Sequence, residues 1–213
     1  MNRFVVASTF VLAWVATAEG HQLDEYLQAT RLDLSRDRVA VELSLTPGVS
    51  IASQVLALID RDRDRTASSE EMLDYARRVM QDIRLTIDGR AYRLALTRVV
   101  SSAWDELLEG TGSIRLEAVA EGVLLTRGTH RIVYENSHAA AQSAYLVNAL
   151  KPGRDLIIGA QRRDPLQHRI EMDVEVSSLG TRAIQFAGGS GLIALLVTLR
   201  LRARRRHQPA FVL

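Results

Sequence analysis

Ile170, Met172, Val174 and Val176 alternate with Glu171, Asp173 and Glu175. A period of two suits only an extended chain with one face in a core and the other in water. The same period recurs where Val39, Val41, Leu43 and Leu45 alternate with Ala40, Glu42, Ser44 and Thr46, and where Ile114, Leu116 and Ala118 alternate with Arg115 and Glu117. Leu156-Ile157-Ile158-Gly159 is unbroken and apolar, and reads as a fully buried strand. Asp88-Gly89, between Leu85-Thr86-Ile87 and Arg90–Leu96, is a type I′ hairpin signal, and Gly128 turns the chain between Val119–Leu125 and His130–Tyr134. Ser101–Gly112 reads as a loop with one helical turn in which Trp104 packs. About seven to nine short strands with frequent turns predict an antiparallel β-sandwich, immunoglobulin-like in its closest form. The cysteine and tryptophan landmarks of immunoglobulin domains are missing.

One interval breaks that period. Ile51, Val55, Leu56 and Ile59 share one helical face, as do Met72, Tyr75, Ala76, Val79, Met80 and Ile83. Between them, Asp60, Asp62, Asp64, Thr66, Ser68 and Glu71 fall at positions 1, 3, 5, 7, 9 and 12 of a loop. A hard divalent cation takes about six to eight oxygens, and a coiled loop turns alternate side chains inward to supply them. Asp60, Asp62 and Asp64 offer single carboxylate oxygens, Thr66 its backbone carbonyl, Ser68 its hydroxyl or a water, and Glu71 both oxygens.

This interval, roughly Ser50–Arg84, resembles the EF-hand family. The resemblance implies a Ca²⁺ site with those six residues as ligands, on a helix-loop-helix inserted after the second strand, and makes the fold class α+β. The chain departs from the family at position 6, where Arg65 replaces the glycine, and at position 8, where Ala67 replaces a β-branched residue. Position 6 calls for a positive φ, which costs a non-glycine residue on the order of 1 kcal/mol. Arg61, Arg63 and Arg65 also interleave with the acids and oppose a cation. The implied affinity is weak, about 10⁻⁴–10⁻³ M. A metal-free alternative stands beside it: Ser68-Ser69-Glu70-Glu71 is a capping box, and the Asp/Arg alternation is then a solvated turn.

Residues 1–20 read as a secretory signal, with Arg3 ahead of the apolar Phe4–Ala16 and a small-x-small Ala16-Thr17-Ala18. The alternative is an uncleaved anchor, and both export the body at 21–182. Residues 183–201 read as a transmembrane segment. Arg200, Arg202, Arg204, Arg205 and Arg206 follow it and only Arg182 precedes it, so the positive-inside rule leaves 202–213 as a basic cytoplasmic tail. The body then sits on the periplasmic or extracellular face. The same tail resembles the C-terminal sorting signals of some Gram-negative exported proteins, through Gly188-Gly189-Ser190-Gly191, Leu192–Leu199 and the arginines. The tail's arginines exceed the formal charge of +2, so the body is mildly acidic. Without a basic stripe, nucleic acid is excluded as a partner.

The leading His21-Gln22-Leu23-Asp24-Glu25-Tyr26-Leu27-Gln28, the Thr46-Pro47-Gly48-Val49 turn, the Asp60 loop and Tyr145-Leu146-Val147-Asn148-Ala149-Leu150 are together similar to uncharacterised exported bacterial proteins. Some of these precede a membrane part related to HupE/UreJ nickel-permease-like proteins. The resemblance implies a membrane-associated domain, with a membrane protein among its partners, and no particular reaction.

No catalytic constellation emerges. The chain has no cysteine, no H-E-x-x-H and no G-x-S-x-G, and His130, His138, His168 and His207 form no metal-ligand spacing. His21 is the exception. Cleavage after Gly20 would give it a free amine beside its imidazole, a copper or nickel chelate that Asp24 or His138 could complete. The readings in view are thus an exported, membrane-anchored calcium-binding domain, a periplasmic copper or nickel binder, and a metal-free interaction module.

Overall fold

The computed structural model describes residues 24–150 and 155–177. The expected signal segment, His21, the expected span at 183–201 and the basic tail lie outside the described residues. Among the described residues, no helix is long and apolar enough to cross a membrane.

The strands are β1 (Tyr26–Ser35), β2 (Arg38–Pro47), β3 (Ile83–Ile87), β4 (Arg90–Tyr92), β5 (Leu94–Ser101), β6 (Ile114–Ala120), β7 (Gly128–Asn136), β8 (Ser143–Ala149), β9 (Leu156–Arg163) and β10 (Arg169–Val176). Among the described residues three α-helices accompany them: α1 (Val49–Ile59), α2 (Ser69–Gln81) and the short α3 (Trp104–Leu108). The strands form two five-stranded sheets, ordered β5-β6-β2-β1-β8 and β4-β3-β7-β10-β9. The chain is thus mainly β with few helices, a two-sheet sandwich with a helical hairpin between β2 and β3.

The alternating positions become the inner faces. Val39, Val41, Leu43 and Leu45 meet Ile170, Met172, Val174 and Val176 in one buried cluster with Ile114, Leu116 and Ile132. Their side chains leave water because the opposite positions carry the solvated residues, which is why register is fixed wherever one face is buried. The outer faces carry ion-pair ladders, Arg31–Glu42–Arg115 on one sheet and Arg131–Glu171–Arg162 on the other.

The Asp88-Gly89 turn has positive φ at both residues, +52° and +80°, and closes Ile87 against Arg90 as type I′ requires. Three expectations change. Arg90–Leu96 is not one strand: β4 stops at Tyr92, and after Arg93 the chain enters the other sheet as β5. One connecting residue suffices because β4 and β5 are edge strands on the same flank. The apolar run at Leu156 is an edge strand in which Leu156 alone is buried, since only one neighbour, β10, covers it. Pairing is also not wholly antiparallel: β8 runs parallel to β1, with Tyr26 beside Ser143. β7 ends at the same end of the sandwich where β1 begins, so the chain that crosses there enters β8 in the direction of β1.

Both flanks are covered. α2 packs on β5 at one. At the other, Arg163 of β9 donates from Nε to the Val147 carbonyl at 2.7 Å and from its terminal nitrogen to Asn148 Oδ1 at 2.7 Å. Gln161 reaches the Ala149 carbonyl at 3.4 Å.

Candidate metal centre

α1 buries Ile51, Val55, Leu56 and Ile59, the face expected of it. α2 buries Met72, Tyr75, Ala76 and Val79 and ends at Gln81. Ile83, expected to extend that helical face, instead opens β3, because Asp82 closes α2 with its N–H on the Val79 and Met80 carbonyls. The two helices pack together, α1 against α3 and α2 against β5, so the hairpin is fastened to the sandwich on both sides. Its connecting loop runs from Asp60 to Ser68.

Asp60, Asp62 and Glu71 converge, each offering a carboxylate oxygen within 4.8 Å of the others. Asp60 and Glu71 are buried and Asp62 is exposed. Backbone amides hold these groups in place. Asp60 accepts from the Asp64 N–H at 3.1 Å and the Arg65 N–H at 2.9 Å. Glu71 Oε1 accepts from the Arg61 N–H at 2.7 Å, while Oε2 accepts from the Ser68 N–H at 3.1 Å and the Ser68 hydroxyl at 2.7 Å. No cationic side chain pairs with Asp60 or Glu71 among the described residues.

The six expected ligands therefore divide. Asp64 turns back on the loop, its Oδ1 accepting from the Thr66 N–H at 2.8 Å and the Thr66 hydroxyl at 2.6 Å. The Ser68 side chain is spent on the capping box, which is complete. Glu71 thus serves both readings at once, as the cap of α2 and as one of three converging carboxylates.

Electrostatics separates the acids. The Ser68 hydroxyl, then the Arg61 and Ser68 amides, draw the Glu71 pKa down to about 2, against the opposing effect of burial. Asp62 shifts the other way: the Asp64 amide favours its charge, but desolvation and the Asp64 and Glu71 carboxylates together prevail and raise it. Glu71 is firmly ionised at neutral pH.

The loop backbone is strained. Arg65 has φ +65° as its position predicts, and Arg63 has φ +63°, which the sequence did not signal. Each costs on the order of 1 kcal/mol relative to glycine. Arg61 is drawn away from the acids by an ion pair with Asp74.

Beside the hairpin lies a polar network that sequence reasoning missed. The Tyr26 and Tyr75 hydroxyls are 2.7 Å apart, Tyr75 lies 3.4 Å from His138 Nε2, and His138 Nδ1 lies 2.8 Å from Asp82 Oδ2. Gln28 and Asn136 continue it between the sheets, Asn136 donating to Gln28 Oε1 at 2.8 Å. Both ring nitrogens of His138 thus have hydrogen-bond partners within this network. His130 and His168 pair with Asp88 and Asp164 at 2.7 Å each, apart from one another.

No family model, curated protein or solved structure matches this chain.

Proposed function

We propose that this chain is an exported, membrane-anchored domain that binds calcium in its single EF-hand-type helix-loop-helix. The observation that carries the reading is the convergence of Asp60, Asp62 and Glu71. Three carboxylates gather where no side-chain cation forms an ion pair with them among the described residues, and backbone N–H groups orient two of them, which is the environment a hard divalent cation relieves. The finer ligand set adds Asp64, Thr66 and Ser68 by loop position. Affinity in the range of about 10⁻⁴–10⁻³ M follows from the positive charges of Arg63 and Arg65 in the loop and from Asp64 being held by Thr66, both of which a bound cation must work against. The role is structural or weakly sensing. Export and the C-terminal span rest on the charge and hydropathy of the two ends, and a membrane-protein partner rests on the resemblance to exported proteins that precede a HupE/UreJ-like membrane part. The immunoglobulin-like refinement of the fold rests on the two mainly antiparallel sheets.

Calorimetric titration of the full chain in mild detergent tests this, with the Glu71→Gln variant beside it. Saturable calcium binding that disappears in the variant supports the reading. Absence of heat and of any melting shift at millimolar calcium leaves the capping box as the whole role of Glu71.

A further inference from the structure

A cavity of about 430 Å³ opens between α1, the loop and α3. Its apolar side is Leu56, Trp104 and Leu108, and its polar side is Asp60, Arg63 and Arg65. Three features set it apart from ordinary surface relief. Its size lies within the range of small-molecule sites, about 300–1,000 Å³. Arg63 and Arg65 make no ion pair among the described residues, yet both stand at positive φ, where glycine would be the unstrained choice. Strained arginines at the wall of a cavity point to a use for their guanidinium groups. Trp104 Nε1 is buried without an acceptor, so no hydrogen bond fixes the indole in its present pose.

We propose that this cavity binds a carboxylate carried on a short apolar group, and that it does so more tightly when the loop holds calcium. The apolar group lies on Leu56, Leu108 and the indole, and the carboxylate meets Arg63 and Arg65, whose forked donors suit that anion. Asp60 links the two sites, since it both lines the cavity and belongs to the converging acids. Without a cation it repels an incoming anion; with calcium on the loop that repulsion is neutralised. By linkage the anion tightens calcium by the same factor. This coupling rests on the calcium reading above, whereas the cavity's preference for an anion does not.

The test uses the full chain with Trp14→Phe, which leaves Trp104 as the one tryptophan of the two. Its emission is followed as octanoate, octanol, and N-acetylated Val-Leu as free acid or amide are added, in calcium or in chelator. Octanoate should shift the emission saturably, with octanol weaker by about tenfold or more, as expected when a charge-assisted hydrogen bond is lost. The free-acid peptide against its amide reports whether a chain terminus serves as well as an acyl group. Calcium should tighten octanoate by about fivefold or more. Arg63→Gly with Arg65→Gly removes both guanidiniums while relieving backbone strain, so it tests the site without threatening the fold; octanoate should weaken about tenfold or more while the calcium heat persists. Equal response to octanoate and octanol, or unchanged binding in the double variant, overturns the anion site. Anion binding that persists in chelator with no calcium heat upholds the cavity and overturns both the coupling and the calcium reading. Calcium heat with no octanoate response overturns the cavity alone.

Discussion

The hydroxyls of Tyr26 and Tyr75 meet at 2.7 Å in a site where the two residues are 1% and 2% exposed. One belongs to the first strand of the sandwich and the other to the second helix of the hairpin. This hydrogen bond therefore ties the helical insert to the sheet on which it rests. Burial holds the Tyr75 phenol up at about 12 and that of Tyr26 well above its usual value, so both stay protonated at any ordinary pH.

Removing one partner should cost more than removing both. Tyr75→Phe strands a buried hydroxyl on Tyr26 and should destabilise by about 1–3 kcal/mol. Tyr26→Phe should cost less, because Tyr75 retains the His138 ring at 3.4 Å. The double Phe variant should be more stable than Tyr75→Phe alone. Urea denaturation of the four proteins gives the comparison, and additive losses would mean that the two hydroxyls act independently.

Arg65→Gly should stabilise the protein in the absence of calcium by up to about 1 kcal/mol, since it removes strain at φ +65° against a smaller loss to the unfolded chain. It should also tighten calcium. Melting temperatures in chelator and in calcium separate the two effects. A loss of stability in chelator would show that the Arg65 side chain holds the loop through contacts that outweigh its backbone strain.

Acid should release the cation in a particular order. Asp62, raised, takes a proton first as pH falls, and Glu71, drawn down to about 2, takes one last. Calcium affinity should therefore decline while the α2 cap is still intact. For Glu71 the folded pKa lies below the unfolded one, so its stabilisation is complete above the usual value of 4.5 and is lost as pH falls through about 2. Calcium titrations and melting curves between pH 7 and pH 2 should separate these events, and a simultaneous loss of both would contradict the assignment.

His130 should act in the opposite direction. Its Nδ1 faces the Asp88 carboxylate at 2.7 Å and its Nε2 faces the Thr126 carbonyl at 2.9 Å. Both partners are acceptors, which favours a proton on each ring nitrogen, and the Asp88 hydrogen bond leads the upward shift of the His130 pKa. The stabilisation is full below the unfolded value of about 6.5 and is lost as pH rises through the higher folded value. Asp88, drawn down chiefly by His130, sets the acid limit of the same pair. His130→Gln should flatten the fall in melting temperature on the alkaline side of pH 6.5. A fall of unchanged size would place that titration elsewhere.

What the sequence made legible follows from how locally each feature is encoded. Half-buried strands announce themselves within a few residues, and Val39–Leu45 and Ile170–Val176 needed nothing further. Asp88-Gly89 and the Asp60 loop are likewise written in contiguous residues. The edge position of Leu156–Arg163 was hidden, because an apolar run does not say how many neighbours it will have. The sheet change at Arg93 was hidden for the same reason. The hold that the Thr66 amide and hydroxyl have on the Asp64 carboxylate was hidden as well, because loop spacing does not say which local donors an acid will meet. His138, Tyr75 and Asp82 come together across separations of 63 and 56 residues, beyond the reach of any spacing rule.

The hydrogen bonds from Arg163 and Gln161 to Val147 and Ala149 bear on how this domain behaves among its own kind. Carbonyls along the free side of β8 are where a stray strand from another molecule would begin to pair. Two of them are already occupied by side chains from the opposite sheet, and a guanidinium stands in the path of any newcomer. In a chain with no disulfide to hold it shut, that guarded edge works against strand exchange through β8.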